Sequence, residues 1–164
     1  MGGNQLRKII VPYDVDLIPS SSWYTNVRNV VDPVDWERLK EMSKRRAMYR
    51  CEICGAEQDN RQNTFLECHE RYLFDKESKT QRIIRFMCIC SPCHRVTHFG
   101  LAHVNGKSEQ ALKHLMKINK WDENRANEHI SNRFKLWEVK SDMEWVIDLS
   151  ILESIGISQV NYIQ

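Results

Sequence analysis

Two cysteine pairs of equal spacing, Cys51-Glu52-Ile53-Cys54 and Cys90-Ser91-Pro92-Cys93, enclose the sequence Cys68-His69-Glu70, and the second pair runs directly into His94-Arg95-Val96-Thr97-His98. Thiolate and imidazole side chains hold borderline-soft divalent ions, so the pattern points to metal chemistry. Zn²⁺ takes four tetrahedral ligands, and two residues between cysteines let one tight turn present both sulfurs to a single ion. Cys51, Cys54, Cys90 and Cys93 are therefore expected to form a closed structural zinc site. Gly55 gives the first turn its backbone freedom, and Pro92 stiffens the second. Disulfides suit secreted chains, whereas the first twenty residues, with Arg7, Lys8, Pro12, Asp14 and Asp16, hold no apolar signal-peptide core. Cys88 shares a strand face with Cys90 and so is a possible neighbour or substitute ligand, although buried packing is expected for it and for Cys68.

The histidines suggest a second ion of a different kind. On a helix His94 and His98, four residues apart, share a face and can ligate one ion. His69 lies on a strand that can fold across to them. Three imidazoles with an open position describe a catalytic rather than a structural metal site. His103, His114 and His129 lack such a setting and are expected to have no chemical role.

The elements that must position these groups can be read in outline. Lys8 to Tyr13 reads as a short edge strand interrupted at Pro12. Asp32-Pro33-Val34-Asp35 announces a helix to about Met48, with an Asp cap, Pro at the first helical position, and Trp36, Leu39 and Met42 on one side. Thr64 to Tyr72 and Gln81 to Ile89 read as an antiparallel hairpin across the polar Asp75-Lys76-Glu77-Ser78-Lys79-Thr80 turn. A short helix from Cys90 onward carries His94 and His98. Ser108 is expected to cap a helix bearing Leu112, Leu115 and Met116, and Asp122 another bearing Ala126, Ile130, Phe134 and Trp137. Trp145 to Leu149 reads as a final strand. The apolar stripes are most simply core, although Trp121, Trp137 and Trp145 could also cover a partner surface.

A chain of 164 residues with 41% hydrophobic content can bury one core, and 1–164 is read as a single domain. Its motif core is 51–100, with an N-terminal extension 1–50 and a C-terminal helical extension 101–164. Net charge is only +2, which excludes a polycationic tail. Between Lys44 and His98, however, 11 Lys/Arg stand against 7 Asp/Glu, an excess of four positive charges around the metal motifs. Lys44, Arg45, Arg46 and Arg50 precede the first knuckle, and Arg71, Arg82, Arg85 and Arg95 flank the histidines. A phosphate-bearing partner fits that distribution, and a solvated helix face is the competing explanation for any single residue. No stretch approaches a transmembrane span, and Met1-Gly2-Gly3-Asn4-Gln5-Leu6 lacks the hydroxyl of a myristoylation signal. A cytoplasmic protein without a membrane partner is expected.

The combination of CxxC, Leu-Glu-Cys-His-Glu and CxxC-His-xxx-His resembles the HNH endonucleases. The resemblance covers about Cys51 to Gly100, roughly a third of the chain. It implies an α+β fold whose centre is a ββα-metal motif, a hairpin plus helix braced by a four-cysteine zinc, with additional N- and C-terminal helices. It also implies a metal-dependent endonuclease that hydrolyses DNA phosphodiester bonds. Carried over, His69 takes the metal position at the end of the first strand, and Glu70 takes the position of the general base, normally histidine. His94 and His98 match the further metal-binding positions. A carboxylate of ordinary pKa, about 4.3, is a weak base beside imidazole. A one-residue shift would make His69 the base and put Cys68 at the metal, a register that requires a softer ion than Mg²⁺. The catalytic residues implied are thus His69, Glu70 and His94, with His69, His94 and His98 on an ion that is Zn²⁺, Mn²⁺ or Ni²⁺ more readily than Mg²⁺. Arg71 and Arg95 are candidate phosphate clamps. The alternative is a non-catalytic zinc-knuckle module that binds nucleic acid or protein.

Overall fold

The computed structural model describes residues 13–23 and 26–157. Most of the edge strand expected from Lys8 to Tyr13 lies outside the described residues. The fold is mixed α+β, a three-stranded sheet surrounded by helices. No helix among the described residues is long and apolar enough to cross a membrane.

The centre is a long hairpin, β1 (Leu66–Asp75) and β2 (Thr80–Cys90), paired antiparallel from Leu66↔Cys90 to Asp75↔Thr80. Its turn closes because Asp75 accepts from the backbone N–H groups of Glu77 and Ser78 and from the Ser78 hydroxyl, a self-bonding pattern typical of aspartate. Arg71 pairs with Arg85 but Tyr72 with Ile83, so Ile84 is an extra residue that bulges β2 midway. A short strand β3 (Val146–Asp148) adds parallel to β2.

Side chains alternate across β1, and each face has its own cover. One face carries Cys68 and Tyr72 into a core with Leu39, Leu149 and Leu152. Those residues come from α2 (Pro33–Arg46) and from the chain around α7 (Ser150–Ser154), and the short α1 (Val27–Val30) joins them through Val27 and Val30. The other face carries Glu67, His69 and Arg71 toward α3 (Ser91–Thr97) and the extended segment 13–19. A second core lies beyond α3, where Val15, Leu17 and Val96 meet α4 (Phe99–Val104), α5 (Ser108–Asn119) and α6 (Glu123–Ser141). A third cluster gathers Cys51, Cys88, Cys90 and Cys93 with Leu66 and Ile89.

The helix signals hold at most ends. Asp32 accepts from Val34 N–H at 2.8 Å and Pro33 opens α2, while Asp122 accepts from Arg125 N–H to cap α6. Three details differ from expectation. The helix from Asp32 ends at Arg46, two residues short of Met48, because Met48 and Tyr49 both turn to positive φ. Met42 is 43% exposed: the buried stripe of α2 runs from Leu39 to Ser43, whose small side chain faces the sheet and bonds back to the Lys40 carbonyl. Ser108 is the first residue of α5 and not its cap, which is Lys107; its hydroxyl meets His103 Nδ1 instead.

Candidate metal centres

The first pair turns tightly because Gly55, at φ +77°, donates back to the Cys51 carbonyl at 2.9 Å. The second pair enters α3 through Pro92, one of that helix's first two residues. Together they bring one sulfur each from Cys51, Cys54, Cys90 and Cys93 within 4.8 Å of one another. All six cysteines are free thiols, and these four could hold a metal ion such as zinc. Sulfurs so close do not ionise independently. Cys93 is pushed up chiefly by Cys51 and Cys54, whereas Cys54 is pulled down by hydrogen bonds from Cys51, Cys90 and Cys93. A divalent cation in their midst would replace the shared protons and let all four act as thiolates. Cys68 and Cys88 stand outside this group, each pushed up to about 11 by burial, and they pack as thiols.

The second centre is built across the hairpin and α3. The Ser91–Thr97 helix breaks at His98, whose ψ is +52°, but His98 N–H still bonds the His94 carbonyl at 3.0 Å. Both histidines therefore stay on the face turned toward β1, where His69 waits. Ring centroids lie 5.5 Å apart for His69 and His94, 4.9 Å for His69 and His98, and 4.6 Å for His94 and His98, with interplanar angles of 67–85°. One nitrogen from each ring falls within 4.8 Å of the others. Burial holds His69 well below the ordinary imidazole range, and burial followed by the His94 charge lowers His98 to about 4. Neutral rings offer the lone pairs that metal ligation requires.

His69 provides the test of fit. It is 2% exposed, and neither of its ring nitrogens has a hydrogen-bond partner among the described residues. A neutral imidazole has one donor and one acceptor, and leaving such a buried group unpaired costs about 1–3 kcal/mol. An ion bonded to His69, His94 and His98 would satisfy the acceptor, so this donor set fits a divalent metal.

Glu67, not singled out from sequence, completes the centre: its carboxylate lies 2.7 Å from His94 Nδ1. With Nδ1–H directed at Glu67, His94 keeps its Nε2 lone pair free, the arrangement by which carboxylates orient metal-bound histidines. Period-two alternation from His69 was the signal that could have found it. The same alternation turns Glu70 to the opposite face, where it accepts from Val27 N–H at 3.2 Å. Burial raises the Glu70 carboxyl above its ordinary value. Glu70 is thus not brought together with the three imidazoles.

A cleft of about 180 Å³ opens beside the histidines, lined among others by Glu67, His94, His98, Arg95, Asn105 and Lys107. Arg71 lies outside it, bonded to Asp16 at 3.3 Å. Most of the expected positive patch is also paired: Arg45 with Glu41, Arg46 and Arg85 with Glu52, Arg50 with Glu57, Arg82 with Asp148. Arg95 and Lys107 make no ion pair among the described residues. His129 meets Asp14 at 2.9 Å and lies tilted against Trp121 with ring centroids 5.0 Å apart, whereas His114 Nε2 lies 3.3 Å from Cys93 Sγ. No family model, curated protein or solved structure matches the chain.

Proposed function

We propose that the chain is a metal-dependent endonuclease that hydrolyses DNA phosphodiester bonds at His69, His94 and His98, in an HNH-like ββα arrangement braced by zinc on the four cysteines. The observation that carries the proposal is His69: buried, with both nitrogens unpaired, at the point where two further imidazoles converge. A divalent ion bound there would polarise a phosphoryl oxygen and lower the pKa of a bound water. Glu67 orients His94, and that hydrogen bond holds its carboxyl below the ordinary value, so it positions a metal ligand and is a poor acceptor for the proton of the attacking water. Arg95 and Lys107, without carboxylate partners among the described residues, would neutralise the scissile phosphate and its neighbour. Six unpaired cysteines suit a reducing compartment, and the cytoplasm is the proposed location.

A second reading has one observation in its favour. Glu70, at the position the resemblance gives to the base, is bonded to Val27 on the far side of the sheet. A non-catalytic metal-braced module that binds nucleic acid or protein would need no base at all.

Nicking of supercoiled plasmid, assayed across Mg²⁺, Mn²⁺, Ni²⁺ and Zn²⁺, separates the two. The nuclease reading expects ion-dependent nicking that His94→Ala and Glu67→Gln suppress and Glu70→Gln leaves intact. Absence of nicking by the parent with every ion, alongside a single tightly held zinc, would leave the binding module standing. Loss of nicking in a folded Glu70→Gln protein would return the base to Glu70.

A further inference from the structure

His114 belongs to the C-terminal extension, yet its Nε2 is 3.3 Å from Cys93 Sγ. The helix that carries it is fixed in place from several sides. Leu115, next in sequence, is fully buried against α6 and the 13–17 segment, and Ile118 packs on the cysteine cluster. Asn119 clasps the backbone of Tyr13 in both directions, accepting from Tyr13 N–H at 2.6 Å and donating to its carbonyl at 2.9 Å. The Tyr13 hydroxyl in turn donates to the Cys93 carbonyl at 2.8 Å. The imidazole is therefore held against the sulfur by packing on both flanks of α5.

Chemistry gives that contact a direction. Four thiolates on one divalent cation carry a net charge of −2, and Cys51, Cys90 and Cys93 are buried. Surplus negative charge in such a setting is stabilised by donors, and an imidazole N–H aimed at a sulfur is one. Gly55 N–H, by contrast, is committed to the Cys51 carbonyl, and Cys51 N–H to the Ala56 carbonyl.

We propose that His114 donates its Nε2–H to the thiolate of Cys93 when the four cysteines hold their ion, so that α5 forms the outer wall of the metal site. The proposal rests on the cysteine cluster holding a metal and is independent of nuclease activity. His114 is a positioning residue: it lowers the electron donation of Cys93 and retains the ion without ligating it. The C-terminal helices thereby become part of the knuckle's stability.

Co²⁺ in the cysteine site of the full chain reads this directly, because the sulfur-to-cobalt charge-transfer band reports both the number of thiolates and their electron donation. The parent is expected to show four thiolates. His114→Ala should keep that intensity but move the band to lower energy, since a sulfur without its donor gives up electrons more easily. Zinc transfer from His114→Ala to a competing chelator should be faster by about tenfold or more, the scale of outer-sphere losses. His114→Gln, which retains an N–H donor at comparable reach, should restore the parent's band and most of its retention. A parent spectrum with three thiolates and a nitrogen would make His114 a ligand and overturn the proposal. An unmoved band in a variant with native circular dichroism would overturn it too, whatever the change in stability. A parent that takes up neither Zn²⁺ nor Co²⁺ would remove the cluster reading on which it stands.

Discussion

Replacing His69 with leucine should reverse the stability order of two proteins when an ion is added. In the metal-free histidine centre, His69 is 2% exposed with two unpartnered ring nitrogens. Removing those polar atoms relieves a penalty of about 1–3 kcal/mol, while the change of shape to an aliphatic residue of similar volume costs under about 1.5 kcal/mol. The ion-free variant is thus expected to lie between about 0.5 kcal/mol below the parent and about 3 kcal/mol above it. At about 2–4 °C per kcal/mol for a chain of this size, that is a gain of at most about 12 °C in Tm. Mn²⁺ or Ni²⁺ then acts on one protein only. At a thousandfold excess over Kd the parent gains about 4.1 kcal/mol, and the variant, missing one of three ligands, gains little. The parent should overtake the variant as the ion is titrated. The assay is thermal unfolding followed by far-UV circular dichroism, after dialysis without a strong chelator, so that an ion on the four cysteines would be retained in both proteins. A leucine variant that loses more than about 1 kcal/mol without added ion, or a parent insensitive to every ion tested, would refute the claim that His69 awaits a metal.

Three further outcomes follow from the same geometry. Glu67→Gln should weaken ion binding at the histidine centre by about 10–100-fold, because His94 loses the carboxylate that orients it, and calorimetric titration should find the cysteine site unaffected. Arg95→Ala and Lys107→Ala should each flatten the dependence of DNA affinity on log[salt] by about 0.9 per charge removed, whereas Arg82→Ala, whose charge already faces Asp148, should leave the slope alone. Asp16→Asn should gain stability relative to the parent between pH 4 and pH 7. Burial holds the Asp16 carboxyl above its ordinary value despite Arg71, so the folded chain binds this proton more tightly than the unfolded chain does. The parent therefore loses stability as pH rises from the unfolded value of about 3.9 through the folded one, and the loss persists at neutrality. Urea unfolding at the two pH values should show the difference, and a gap that stays constant would contradict it.

What was legible in the residues was local. The Cys-x-x-Cys turns, the Asp32-Pro33 helix start, the hairpin around Asp75 and the four-residue interval from His94 to His98 each depend on a few neighbouring groups, and each appears in the fold near where the spacing puts it. Contacts between segments distant in sequence were not legible in this way. His114 meets Cys93 only because α5 packs along α3, 21 residues later, and nothing beside His114 distinguishes it from His103. The excess of positive charge between Lys44 and His98 stands in the residues, but its meaning depends on partners such as Asp16 and Asp148 that lie outside that stretch. A sum of charges over a segment does not say which of them remain available to a phosphate.

Glu70 is the instructive middle case, because the rule that places it is local and yet its consequence runs against the resemblance. Once His69 faces the helix, strand alternation requires Glu67 and His69 to share a side and Glu70 to take the other. The bulge at Ile84 lies on β2 beyond Arg71, so β1 keeps its alternation through 66–71. For Glu70 to reach the cleft, β1 would have to slip by one residue, which would bring His69 into the α2 core and expose Cys68 and Tyr72. The buried contacts of Cys68 and Tyr72 with that core oppose such a slip, as does the bond from Val27 N–H to Glu70. The same packing that holds His69 toward His94 and His98 thus keeps Glu70 away from them. Glu67, which shares the face of His69, is the carboxylate that this register leaves beside the imidazoles.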